Sequence, residues 1–155
     1  MTIALGVLGS DSVVLAADTE ITWSQMKSSE RKVWGVSGSG GLAITGAGDS
    51  DYLQAINQRL QDSFTANDTL SVDELENTFS EVMEDFYERH VVPFSPVPEI
   101  RIIIGIERKG QRRLWTSAGN ALTRQNSYAC VGSGREYAAL SWEPFWTPQP
   151  SAMMP

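Results

Sequence analysis

Thr2 is the residue with the most reactive chemistry open to it. Removal of Met1 makes it the N-terminus, and a threonine there carries a nucleophile and a base on one residue. The hydroxyl is too weakly acidic to attack a carbonyl unaided and needs an adjacent base. A free α-amine, with a pKa near ~8, has suitable basicity at neutral pH, acting directly or through a water. Nucleophiles of this kind recur on unrelated folds. His90 is the single histidine, so a histidine-clustered metal site is excluded, and its place near a helix end suits a solvated or capping side chain. The single cysteine, Cys130, has no partner for an internal disulfide, in keeping with a reducing cytoplasm.

The elements that must position Thr2 are legible in outline. Residues 3–8 and 13–18 are β-like runs around the turn-rich Gly9-Ser10-Asp11-Ser12 and read as a hairpin. A polar stretch, Thr19 to Arg31, leads into residues 32–36 and, across Ser37-Gly38-Ser39-Gly40-Gly41, into residues 42–46, a second hairpin. Asp49, Ser50 or Asp51 can then cap a helix whose apolar positions Tyr52, Leu53, Ile56, Leu60 and Phe64 recur at helical spacing. Ser71-Val72-Asp73-Glu74 has the form of a capping box and opens a second helix. Its stripe, which includes Leu75, Phe79, Met83 and Phe86, runs to about Arg89, before Pro93, Pro96 and Pro98. Strands resume at residues 100–107, where Ile102-Ile103-Ile104 predicts burial on both faces. Residues 114–117 and 127–131 follow as strands, then Gly132-Ser133-Gly134 and a helix from Arg135. Strands and helices in blocks, rather than in strict alternation, predict an α+β fold of antiparallel sheet packed against helices.

A chain of 155 residues is one domain by default and buries roughly 70% of its unfolded surface. A net charge of -7 argues against a nucleic-acid partner or an anionic membrane surface, both of which need a basic face. No stretch approaches the ~20 apolar residues of a membrane span. Met1 to Gly9 alternates like a strand and lacks the basic start and long apolar run of a signal peptide.

Five segments in order resemble the N-terminal nucleophile hydrolases, specifically proteasome β-type subunits and the bacterial HslV peptidase. They are Thr2-Ile3-Ala4-Leu5-Gly6-Val7, Val13-Val14-Leu15-Ala16-Ala17-Asp18-Thr19, Arg31-Lys32-Val33, Ile44-Thr45-Gly46-Ala47-Gly48-Asp49, and Val131-Gly132-Ser133-Gly134-Arg135-Glu136-Tyr137-Ala138. The resemblance implies a four-layer α-β-β-α sandwich with the nucleophile at one end of the sheet pair. It implies Thr2 as nucleophile, Asp18 as the acidic residue that holds the active-site lysine, and Lys32 as that lysine. Gly46 falls where a backbone N–H helps form the oxyanion hole, and Ser133 where a serine hydrogen-bonds near the terminal amine. Taken singly, each has a plainer reading. Asp18 can simply end a strand, Lys32 can be a solvated charge beside Arg31, and Gly46 and Ser133 lie in turn-forming contexts. The Asp18–Lys32 interval is about two residues shorter than the family's, a difference the connecting loop can absorb.

The activity implied is a threonine-type peptidase acting on polypeptide without metal or organic cofactor, as one subunit of a homo-oligomeric ring fed by an ATPase unfoldase in the cytoplasm. A non-catalytic scaffold subunit and an amidase acting on a small amide remain as alternatives. The family continues past residue 140 with a long helix and further helix and strand. Here the chain runs Ser141-Trp142-Glu143-Pro144-Phe145-Trp146-Thr147-Pro148-Gln149-Pro150. The expectation is a domain over 2–140, its last helix and strand segment missing or replaced, and an irregular Pro/Trp-rich tail over 141–155.

Overall fold

The computed structural model describes residues 2–23, 26–38 and 40–142. Met1, whose removal would free Thr2, lies outside the described residues, as does the Pro/Trp-rich tail beyond Trp142. Among the described residues, six strands precede the helices: β1 (Ala4–Leu8), β2 (Val13–Ala17), β3 (Glu20–Trp23), β4 (Met26–Ser29), β5 (Val33–Ser37) and β6 (Gly41–Gly48). Helices α1 (Ser50–Ala66) and α2 (Val72–Phe86) follow, and a π-helical turn over Tyr87–Val91 extends α2. Then come β7 (Ile100–Arg108), β8 (Gln111–Ala118), β9 (Ala121–Gln125), β10 (Tyr128–Val131) and α3 (Arg135–Trp142).

The strands form a five-stranded sheet of order β5-β6-β7-β8-β9, a three-stranded sheet of order β10-β1-β2, and the separate β3–β4 hairpin. Every pairing is antiparallel. Periodicity accounts for all of these strands except β3, β4 and β9. Each residue of β4 is exposed, and β9 is an edge strand with two half-buried positions. Where neither face is buried, no alternation marks the strand. The stretch read as a polar connection is therefore a hairpin.

Helices α1 and α2 pack on one face of the five-stranded sheet. Leu53, Ile56, Leu60 and Phe64 of α1 and Leu75, Phe79, Met83 and Phe86 of α2 meet Ile102, Ile104, Ile106 and Trp115. The other face meets the three-stranded sheet through a smaller core of Ala4, Ile103, Leu114, Ala129 and Val131. Successive side chains on a strand point to opposite faces, so the isoleucine run of β7 feeds both cores. With α3 beside β10, the layers are those of the α-β-β-α sandwich. Among the described residues, no helix is long and apolar enough to cross a membrane.

Helix ends are closed by local and distant groups. Of the three candidate caps for α1 it is Asp49 that accepts, from the N–H groups of Asp51 (3.1 Å) and Tyr52 (3.3 Å). At the other end of α1, the buried Arg108 guanidinium donates to the carbonyls of Phe64, Asn67 and Leu70 and lies 4.1 Å over the Phe64 ring. The last carbonyls of a helix otherwise have no intrahelical partner, and a cation there is favoured. Ser71 and Glu74 form the expected reciprocal capping box on α2.

The two sheets meet closely because glycines face each other's side chains. A Cβ at Gly6 would lie 2.7 Å from Ile103 Cγ2 and 2.8 Å from Leu114 Cδ1, and one at Gly105 would lie 2.6 Å from Val13 Cγ1. Gly6→Ala is expected to destabilise the fold by about 1–3 kcal/mol through overpacking. Urea unfolding, read as a lowered midpoint at unchanged m, measures it.

Candidate active site

The Asp18 carboxylate, just past the end of β2, gathers the start of the chain and a lysine around itself. Its Oδ1 accepts from Ile3 N–H at 2.7 Å, and its Oδ2 accepts from Glu20 N–H and from Lys32 Nζ, each at 3.0 Å. The Asp18 N–H donates in turn to the Ile3 carbonyl at 3.0 Å. Burial alone would raise this carboxyl. The Ile3 N–H, the Lys32 ammonium and the Glu20 N–H outweigh burial and hold it below its ordinary value.

Lys32 directly precedes β5 and is 9% exposed. Its ammonium donates to Asp18 and to the Glu20 carbonyl. Its own carbonyl accepts the hydroxyl of the buried Thr45 at 2.7 Å. The short interval from Asp18 is thus spanned by the β3–β4 hairpin, and Lys32 still reaches the carboxylate. A buried cation is tolerated when it is paired and hydrogen-bonded.

The β5–β6 ladder ends at Val33 opposite Thr45, whereas β6 stays paired with β7 to Gly48 opposite Ile100. A cavity of about 310 Å³ opens where β5 begins, and Thr2, Lys32, Gly46 and Ser133 all line it. Asp18 is not on its wall and reaches the cavity through Lys32. Thr2 also lines a second cavity, of about 490 Å³, together with Gly132, Arg101 and Arg135. The Thr2 N–H donates to Ser133 Oγ at 3.1 Å, and the Thr2 carbonyl accepts from Gly134 N–H at 3.1 Å.

Sequence reasoning gave Ser133 a part and passed over its neighbour. Gly132 has φ +103, and a Cβ there would lie 2.2 Å from the Thr2 carbonyl oxygen. Only glycine combines that backbone with that approach. Thr45 was also missed, although both residues stood inside recognised segments. His90 is half-buried in the helical turn that follows α2, with its Nε2 2.8 Å from Arg59 Nη2 and its ring against Phe86.

Two antiparallel sheets face to face between helical layers, with the chain's first residues at one end, define a sandwich of the N-terminal nucleophile hydrolase type. A family model described as Proteasome subunit matches residues 2–151, and the chain belongs to the proteasome subunit family. No curated protein sequence matches it. Among solved structures it is similar to Anbu (ancestral beta-subunit) from Yersinia bercovieri, at 16% identity and a TM-score of 0.75 over 94% of this chain and 68% of that one. It is similar to an Anbu (Gly-1) mutant from Hyphomicrobium sp. strain MC1, at 15% identity and a TM-score of 0.74 over 93% and 65%. A structure titled helical assembly of the Anbu complex from Pseudomonas aeruginosa matches at 15% identity and a TM-score of 0.73 over 94% and 68%. The chain thus spans about two thirds of the length of these structures, and at such identities the likeness is one of fold.

Two measurements probe this geometry. Gly132→Ala forces both backbone strain and a clash with a backbone oxygen, and is expected to cost about 2–4 kcal/mol in thermal or urea unfolding. Asp18 has a lower pKa folded than unfolded, so its stabilisation is complete above the ordinary carboxylate range and is lost as pH falls through the lowered value. The stability difference between wild type and Asp18→Asn should therefore be flat above about pH 5 and shrink below about pH 4.

Proposed function

We propose that this chain is a threonine-type peptidase subunit of the proteasome family, acting in the cytoplasm, with Thr2 as nucleophile once Met1 is removed. The observation that carries the reading is the buried Lys32 ammonium, paired with Asp18 and lining the same cavity as Thr2. A cation there favours loss of the Thr2 hydroxyl proton. The freed α-amine accepts that proton while the hydroxyl oxygen attacks the scissile carbonyl. Ser133 Oγ takes one amine N–H and so orients the lone pair. Gly46, on the cavity wall, supplies a backbone donor to the developing oxyanion, a contribution typically worth about 3–4 kcal/mol. Collapse of the tetrahedral intermediate expels the amine product with the proton returned to it. Water then hydrolyses the resulting ester and frees the Thr2 hydroxyl.

Family membership supports reading the chain as one protomer of a homo-oligomer. The Anbu complex from Pseudomonas aeruginosa is described as a helical assembly. A head-to-tail interface gives a ring when its rotation closes and a helix when it does not. A ring fed with unfolded polypeptide by an ATPase belongs to the same reading, and size-exclusion chromatography distinguishes closed from open forms.

Intact-mass measurement is expected to give a chain lacking Met1, labelled stoichiometrically by a peptidyl epoxyketone. Thr2→Ala should abolish labelling and hydrolysis, and Lys32→Ala should lower kcat by at least about 10²-fold. Retention of Met1 with no labelling makes the chain a non-catalytic subunit instead. Hydrolysis of small amides without peptide cleavage makes it an amidase.

A further inference from the structure

The cavity shared by Thr2 and Lys32 has two unlike halves. Its apolar wall is formed by Trp34 of β5, Ala47 of β6 and Leu53 of α1. Three carboxylates, Glu20, Glu30 and Asp49, also line it. Asp49 is committed to the start of α1, and Glu20 is paired with Lys27 at 3.0 Å. Glu30 accepts the Gln54 side-chain amide at 2.5 Å and forms no ion pair among the described residues.

Neither cation on the wall is ion-paired with Glu30. Lys32 is held by Asp18 and the Glu20 carbonyl, and the exposed Arg31 turns its Nε to the Val33 carbonyl at 2.7 Å. Glu30 is thus a carboxylate held in place by a neutral amide, at the edge of an apolar wall. That combination suits an alkyl stem ending in a cation, because lysine and arginine lay their methylenes on apolar surface and keep the charged head at a polar rim. A substrate carboxylate would meet Glu30 and Asp49 with like charge. A leucine or phenylalanine would gain the wall and leave the Glu30 charge without a partner. The volume, about 310 Å³, is of the size that takes one long side chain beside the reacting group.

We propose that this cavity selects lysine or arginine on the acyl side of the scissile bond, with Glu30 the residue that determines the selection. The inference rests on the peptidase reading above. It is tested on the full chain in its native assembly, with fluorogenic peptide amides carrying Arg, Lys, Leu, Phe or Glu at that position. Arg and Lys substrates should exceed Leu in kcat/KM by about tenfold and Glu by more, the scale of one charge-assisted contact. Glu30→Gln should remove most of the Arg-to-Leu ratio, and Glu30→Lys should turn the preference toward Glu. Equal cleavage of Leu and Arg substrates, or a ratio unmoved by both substitutions, overturns the proposal while leaving the peptidase reading intact. Absence of any cleavage or labelling overturns the peptidase reading by itself. The pocket is then read by fluorescence anisotropy of dye-labelled peptides on Thr2→Ala. Tighter binding of the Arg peptide than of the Leu peptide supports the selection, and indifference refutes it.

Discussion

One carboxylate ties together parts of the chain that would otherwise have no reason to meet. Asp18 accepts from Ile3, Glu20 and Lys32, which belong to the start of the chain, the β3–β4 hairpin and the approach to β5. With those donors in place the Lys32 ammonium is both buried and paired, and the hairpin carbonyl of Glu20 has its donor. Charge-assisted bonds of this kind are the strong ones among hydrogen bonds. Removing one partner leaves the other charge buried without compensation, which is costly. The arrangement therefore stands or falls as a unit. The hairpin depends on it most, because a lone two-stranded ribbon is marginal in water.

Beyond that hub, the sandwich is a problem of distance between layers. The core under α1 and α2 is filled by large side chains, Phe79, Phe86 and Trp115 among them. The core between the sheets is thin and uses Ala4, Ala47 and Ala129. Small residues there, with Gly6 and Gly105 on facing strands, let the backbones approach and bring the Thr2 end of β1 over β6. The site lies at the edge of this thin layer. Its walls draw on both layers, with Ala47 from the contact between the sheets and Leu53 from the helical core.

What could be read without coordinates followed the range of each interaction. The Ser71–Glu74 box spans four residues and was legible from them alone. The Ile102-Ile103-Ile104 run announced double burial, and β7 is indeed buried on both faces. β4 and β9 were silent because their residues bury little, so no pattern marks them. In the site, the resemblance supplied the residues that meet at the cavity, but burial of Lys32 depends on a fold that composition does not reveal. Gly132 looked like any turn glycine, since its constraint comes from the Thr2 carbonyl, far away along the chain. Arg108 was invisible for the same reason: the carbonyls it serves lie at the far end of another element.

The contact between Thr2 and Ser133 joins residues 131 apart in sequence, and β1 pairs with β10 from Ala4 opposite Val131. Closing so long a span is a late event for any chain, and pairings between distant segments form slowly. A ribosome delivers Thr2 131 residues before Ser133, so until β10 emerges one edge of β1 has no strand to pair with. Thr2 thus travels without Gly132, Ser133 and Gly134 beside it until the segment that follows β10 has been made. On the peptidase reading proposed above, completion of the fold acts as a safety catch, because a half-folded copy carries the threonine without the pocket that activates it.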